Sequence, residues 1–249
     1  MKNTYEEFKK DIVFIGGPCA VEDEQTLYDI AVAVKKRGAT ALRAGAFKPR
    51  TSPYDFQGLG EDGVKILASV GKKVGIKTVS EITDVRLLSK YADIDILQVG
   101  ARNMQNFALL KELGKTDKPV IIKRGFVNTA EELLLSAEYV LSGGNERVAI
   151  CERGIRTFEN STRFTLDLCS VAALKLKSEL AIIVDPSHAA GDCKIVKSLA
   201  LAAVAAGADG IMTEVHTHPE NALCDGAQAI SPEVFGEIVK AGKAIKKII

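Results

Sequence analysis

The sequence predicts an α/β fold, a (β/α)8 TIM barrel forming a single domain, and three observations carry that expectation. Short apolar runs with β character occur eight times, and segments with helical spacing lie between them. The runs are near-continuously apolar, the pattern of parallel strands covered on both faces, and eight units in 249 residues is the arithmetic of a closed barrel. An open doubly wound sheet is the alternative arrangement of the same units.

Residues 1–10 are polar and mixed in charge and read as an N-terminal extension to a barrel that takes up the rest of 1–249. The first strand is Ile12 to Ile15; Asp23 then caps a helix whose inner face is Leu27, Ile30, Ala31 and Val34. Thr40 to Leu42 is the second strand. The longest non-helical stretch, Ala44 to Gly60, follows it and is broken by Pro49, Pro53, Gly58 and Gly60. Loops that follow strands form the working face of a barrel, so this segment is expected over the mouth of the site. Ile76 to Val79 is the third strand, with Thr83 or Asp84 starting the next helix, and Ile94 to Val99 and Val120 to Ile122 are the fourth and fifth. Asn128 with Glu131 makes a capping-box-like entry to a helix carrying Ala130, Leu133, Leu134, Ala137, Val140 and Leu141 on one face. Val148 to Ile150, Ile182 to Val184 and Gly210 to Met212 complete the set. Neither a flexible linker nor a solenoid-type repeat divides the chain.

Composition narrows the function. The 33 Lys and Arg residues balance 32 Asp and Glu, for a net charge of +1, which gives no support to a nucleic-acid or membrane-surface partner and leaves small, locally bound anions. Five cysteines without disulfide-like spacing read as thiols in a reducing compartment. The N-terminus lacks a signal-peptide stretch and no apolar run reaches membrane-spanning length, so the expected location is cytoplasmic.

Two sets of residues stand just past the strand-like runs. Arg43, Lys48, Arg102, Lys123 and Arg153 are cationic and would converge at the carboxyl ends of a parallel barrel, where fixed donors suit phosphate and carboxylate. Lys and Arg are most often solvated surface charge, but a lysine closing Val-Ile-Ile would be costly in a barrel interior unless a bound anion compensated it. Arg50, Thr51 and Ser52 beside Lys48 add a second group of phosphate donors. The other set is Cys19, His188, Glu214 and Asp225, from the first, seventh and eighth units. The first strand neighbours the eighth in a closed barrel, so these four become neighbours in space, and the mixture suits a divalent ion such as Mn, Fe, Co or Zn. Taken alone, Cys19 would as soon be a small core residue. Cys169, spaced with Leu166 and Ala173, and Cys151 read as core; Cys193 and Cys224 adjoin the ligand loops and stay open. His216 and His218 form an H-x-H pair that could bind metal or flank the site, although a hydrolase barrel of the amidohydrolase type needs more histidines than the three present. Gly58, Gly60 and Gly63 match a dinucleotide fingerprint, but a Pro-broken polar stretch precedes them instead of a strand.

The stretches GPCAVE, RAGAFKPRTSPYDFQGLG, VSEITD, LQVGARNMQNF, IIKRG, CERGIRTF, DPSHAAG and EVHTHPENALCDGAQ together resemble the 3-deoxy-D-arabino-heptulosonate 7-phosphate synthase family, type I-beta, across nearly the whole chain. The resemblance implies a transferase that condenses phosphoenolpyruvate with erythrose 4-phosphate at the head of the shikimate pathway, releasing inorganic phosphate. It matches Cys19, His188, Glu214 and Asp225 to metal ligands, and Arg43, Arg102, Lys123 and Arg153 to groups that hold phosphoenolpyruvate. Lys48, Arg50 and Thr51 match groups that take the aldose. Lys48, Glu81, Cys19 and His188 are the residues expected to act in catalysis, with Glu81 placing a water. The related 3-deoxy-manno-octulosonate 8-phosphate synthases carry a KANRSS-like stretch where this chain reads Lys48, Pro49, Arg50, Thr51, Ser52. Resemblance further implies a homotetramer or homodimer. The barrel units use the chain after its first ten or so residues, so no fused feedback domain and no inhibition by aromatic amino acids are expected.

Overall fold

The computed structural model describes residues 11–249, so the extension expected at 1–10 lies outside the described residues. Eight strands, each parallel to its neighbours, run β1 (Val13–Gly17), β2 (Ala41–Arg43), β3 (Lys77–Glu81), β4 (Ile96–Val99), β5 (Val120–Lys123), β6 (Val148–Glu152), β7 (Ala181–Val184) and β8 (Gly210–Glu214). β1 pairs with β8 from Val13↔Gly210 to Gly17↔Glu214, which closes the ring and confirms the barrel over the open sheet. The outer layer is α1 (Glu24–Lys36), α2 (Glu61–Val74), α3 (Phe107–Leu113), α4 (Ala130–Leu141), α5 (Leu168–Lys177), α6 (Pro186–Ala190), α7 (Cys193–Ala205) and α8 (Pro232–Lys246). No helix among the described residues is long and apolar enough to cross a membrane.

Two apolar layers follow from the two faces of each strand. Val13, Ile15, Ala41, Val79, Ile96, Ile121, Ala149, Cys151, Ala181, Ile183 and Met212 fill the barrel. Phe14, Leu42, Leu97, Ile122, Ile150 and Val184 point the other way and pack under the helices. Side chains alternate along a strand, so the residue two positions past each interior one enters the same lumen at its carboxyl end. Ala41 thus leads to Arg43, Val79 to Glu81, Ile121 to Lys123, Cys151 to Arg153, Ile183 to Asp185 and Met212 to Glu214. All six are buried, although every one is charged.

Some local expectations need correction. The box at the start of α4 is one residue later than expected: Thr129 Oγ1 accepts from Glu132 N at 3.1 Å, and Glu132 Oε2 accepts from Thr129 N at 2.7 Å. Asp84 does cap the segment after β3, but that segment, Val85–Tyr91, is 3-10 and not α-helical. Cys151 is core as expected; Cys169 is exposed. α5 begins at Leu168, and its inward residues are Val171 and Leu174, so spacing counted from Leu166 named the wrong face.

Candidate active site

The strand ends and the loops after them enclose a cleft of about 320 Å³ at the carboxyl face of the barrel. Arg43, Lys48, Arg50, Thr51, Glu81, Arg102, Lys123, Arg153, His188 and Asp225 all line it, and Glu214 lies beneath. The segment between β2 and α2 covers one side, where expected, and contributes Lys48, Pro49, Arg50, Thr51 and Asp55.

Cys19, His188, Glu214 and Asp225 come together: one potential ligand atom from each lies within 4.8 Å of all the others. Cys19 follows β1 and His188 sits in α6, whose N-cap Asp185 accepts from His188 N at 3.0 Å. Asp225 holds the left-handed backbone conformation, φ 55°, which costs little for Asp compared with other non-glycine residues. Its carboxylate accepts from Cys19 Sγ at 3.0 Å. Gln228 Nε2 donates to Glu214 Oε2 at 2.5 Å, and Arg43 Nη1 donates to Glu214 Oε1 at 3.2 Å. His188 Nδ1 lies 2.7 Å from Asp185 Oδ2, so the proton belongs on Nδ1 and the Nε2 lone pair faces Glu214 at 3.2 Å.

Electrostatics favour a cation among these donors. Burial pushes the Cys19 thiol well above its ordinary value, and the contact with Cys224 adds to that against Lys48 and Arg43. Burial, then Cys19, pushes the Glu214 carboxyl up to about 7. Burial also lowers the His188 pKa despite the Asp185 and Glu214 carboxylates, which leaves the neutral ligating form. Asp225 differs: burial opposes its charge, but the hydrogen bond from Cys19 and the nearby His188, Arg163 and Lys48 hold its carboxyl well below the usual range. A thiol and a carboxyl that resist ionisation, a neutral imidazole and one ready carboxylate are a donor set that a divalent first-row ion fits.

Beside this cluster lies the cationic wall. Lys48 Nζ donates to Cys19 Sγ at 2.8 Å and to Cys19 O at 3.0 Å, so it borders the metal-type donors directly. Arg50 Nη1 donates to Cys224 Sγ at 2.7 Å. Lys123 is not the unpaired lysine that its strand position suggests. It ion-pairs with Asp185, 1% exposed, which also holds His188. Burial opposes the Asp185 charge, but His188, Lys123 and the hydrogen bonds from His188 outweigh it and keep the carboxyl well below the usual range. Arg153 is buried, and its Nη1 has no hydrogen-bond partner. Glu81 accepts from Gln98 Nε2 at 3.3 Å, while Gln98 Oε1 is buried and unpartnered. Gly100 makes room for that carboxylate: a Cβ there would sit 1.9 Å from Glu81 Oε1.

Asp185, Gln98, Arg156, Arg163 and Cys224 belong to this site and were not singled out from the sequence as site residues. Asp185 and Gln98 carry a usable signal, since each stands two past an interior residue, Ile183 and Ile96. Arg156 and Arg163 come from the long β6–α5 loop, where no periodicity points inward. Cys224, left open by sequence, lies 3.1 Å from Cys19 Sγ. His216 and His218 stay outside the four-donor group: His216 is buried with Nε2 3.5 Å from Glu22, and His218 is exposed.

Comparison with known proteins follows the same lines. The profile of the DAHP synthetase I family matches residues 8–249. A Thermotoga maritima phospho-2-dehydro-3-deoxyheptonate aldolase is 50% identical over 93% of this chain and 69% of its own length. A Geobacter sulfurreducens 2-dehydro-3-deoxyphosphooctonate aldolase is 30% identical over 96% of this chain and 94% of its own. Among solved structures, the Thermotoga maritima phospho-2-dehydro-3-deoxyheptonate aldolase superposes with a TM-score of 0.89 at 48% identity, covering 95% of this chain and 69% of that one. A truncated form of 3-deoxy-D-arabino-heptulosonate 7-phosphate synthase from Thermotoga maritima gives 0.86 at 44% identity, over 95% and 86% of the two chains.

Proposed function

This chain belongs to the DAHP synthetase I family, and on that footing we propose that its cleft condenses phosphoenolpyruvate with erythrose 4-phosphate with the help of a divalent metal ion. The observation that carries the reading is the juxtaposition of the four-donor cluster with a cationic cleft. Carbon three of phosphoenolpyruvate attacks the aldehyde carbon, water adds to carbon two, and the carbon–oxygen bond to phosphate breaks. The products are the seven-carbon sugar acid phosphate and inorganic phosphate.

Cys19, His188, Glu214 and Asp225 would hold the metal, which when bound supplies Lewis acidity toward the aldehyde oxygen. Lys48, beside that cluster, places a positive charge and a proton donor where the alkoxide develops. Arg43, Lys123, Arg153 and Arg102 bind the carboxylate and phosphate of phosphoenolpyruvate, and fixing both ends orients the double bond. Arg50 and Thr51 take the phosphate of the aldose. Glu81, hydrogen-bonded to Gln98, positions the water for carbon two.

Phosphate release tests the reaction, and the aldose tests its specificity against the eight-carbon reading that the Geobacter relative keeps in play. Release with erythrose 4-phosphate is expected to run at least about tenfold faster than with a five-carbon aldose phosphate. The reverse preference would transfer the chain to the other activity.

Eight Arg and Lys residues face Asp55, Glu81 and Asp225 in the cleft lining, although the chain as a whole is almost neutral. The local field should therefore steer anionic reactants. kcat/KM for phosphoenolpyruvate is expected to fall severalfold as salt rises from about 0.01 M to about 0.15 M and the Debye length contracts from about 30 Å to about 8 Å. A flat salt profile would contradict steering by this cluster.

A further inference from the structure

Two aromatic rings in the cleft wall belong to no part of the hydrophobic core. Phe126, after β5, and Phe164, between β6 and α5, are half-buried and join neither the barrel filling nor the layer beneath the helices. They stack on each other, with centroids 5.0 Å apart and 8° between planes. Guanidinium groups surround them. Arg153 Cζ lies 4.5 Å from the Phe164 centroid and 4.8 Å from that of Phe126; Arg102 and Arg156 stand 5.5 Å and 5.8 Å from Phe126, and Arg163 5.9 Å from Phe164. Among the described residues, Arg163 with Asp225 is the one ion pair these four arginines make.

The rings are held in place by backbone bonds. Arg156 N donates to Phe126 O at 2.8 Å, which joins the two loops, and Phe164 N donates to Ala189 O at 2.9 Å, which ties the stack to α6 next to His188. Gly154, at φ 95°, permits the approach, because a Cβ there would come within 2.7 Å of Phe164 Cβ. A fixed negative ring face stabilises a guanidinium without consuming its hydrogen-bond donors, which an ion-pairing carboxylate would occupy. Arg153 fits that description, since its Nη1 is unpartnered and its Nη2 makes only a 3.5 Å contact with His188 O.

We infer that Phe126 and Phe164 are positioning residues for the phosphoenolpyruvate subsite: the stacked pair fixes the Arg153 guanidinium and keeps its donors uncommitted for the reactant's anionic group. The inference rests on the reading of the cleft given above, and it extends that reading to two apolar side chains that never meet a proton in the reaction.

Phe126→Leu and Phe164→Leu keep apolar bulk and remove the ring faces; Phe126→Tyr and Phe164→Tyr keep the faces. In the metal-loaded protein, each Leu variant should raise KM for phosphoenolpyruvate by about three- to thirtyfold, while kcat and KM for the aldose phosphate change little. The Tyr variants should restore the parent value. An unchanged KM for phosphoenolpyruvate in both Leu variants, an equal rise for both reactants, or Tyr variants as impaired as Leu would overturn the inference. Calorimetric binding of phosphoenolpyruvate alone separates it from the reaction assignment. Weaker binding by the Leu variants upholds the positioning role even if the unmutated chain shows no turnover, and equal binding defeats it even where turnover is normal.

Discussion

Cys19→Ala is expected to lower metal-supported turnover by more than about a hundredfold, the upper end of the loss seen when merely an outer partner of a metal ligand is removed. The thiol sits where three functions meet. It is one of the four clustered donors, it accepts from Lys48 Nζ at 2.8 Å, and it donates to Asp225 at 3.0 Å. Alanine fits the vacated space, so the barrel should fold and melt as a single cooperative unit. Cys224 Sγ, 3.1 Å away, is the one nearby thiol that could take over a ligand role, and the Cys19→Ala/Cys224→Ala pair closes that route. Metal content measured alongside phosphate release checks the prediction. A Cys19→Ala protein that turns over at the parent rate after its metal is stripped would refute it.

Lys123→Met is expected to cost about 3–5 kcal/mol of stability, because it leaves the Asp185 carboxylate buried with its lysine partner gone. Activity should fall with it, since Lys123 lines the cleft and Asp185 orients His188. The two effects can be separated. Adding Asp185→Asn removes the stranded charge, so the double variant should regain much of the stability while staying inactive. Denaturant unfolding of both single variants and the double gives the coupling energy directly. A loss below about 1 kcal/mol for Lys123→Met would mean that the buried pair contributes no more than a surface one.

The barrel was legible because its signals are local and repeated: apolar runs of strand length, helical spacing between them, and no linker. Strand cores needed only small adjustment, and the strands extend one or two residues further than their apolar runs, into Arg43, Glu81, Lys123 and Glu214. Those extensions are charged, and hydrophobicity cannot see them. What does see them is parity, since Arg43, Glu81, Lys123 and Glu214 each stand two past an interior apolar residue. The same rule reaches Asp185, which the sequence reading passed over. Lys123, expected to need a bound anion, pairs instead with that residue across two strands.

Long-range pairing explains most of what sequence left open. Cys224 meets Cys19 across 205 positions, and Arg163 meets Asp225 across 62, in loops whose course no periodicity describes. Nothing in the sequence sets Phe126 and Phe164 apart; their pairing exists only once their loops are placed side by side. The cap expected at Asn128 but found at Thr129, and the exposed Cys169, are errors of another kind. Each follows from a helix starting one or two residues away from where spacing put it, the margin within which helix ends are hardest to assign.

Metal reconstitution addresses the joint role of the two halves of the cleft most directly. Chelator-stripped protein, mixed with phosphoenolpyruvate and erythrose 4-phosphate, should release no phosphate above background, and one equivalent of Mn, Fe, Co or Zn per chain should restore release. Phosphate release at the full rate by protein shown to contain no metal would contradict the assignment of Cys19, His188, Glu214 and Asp225.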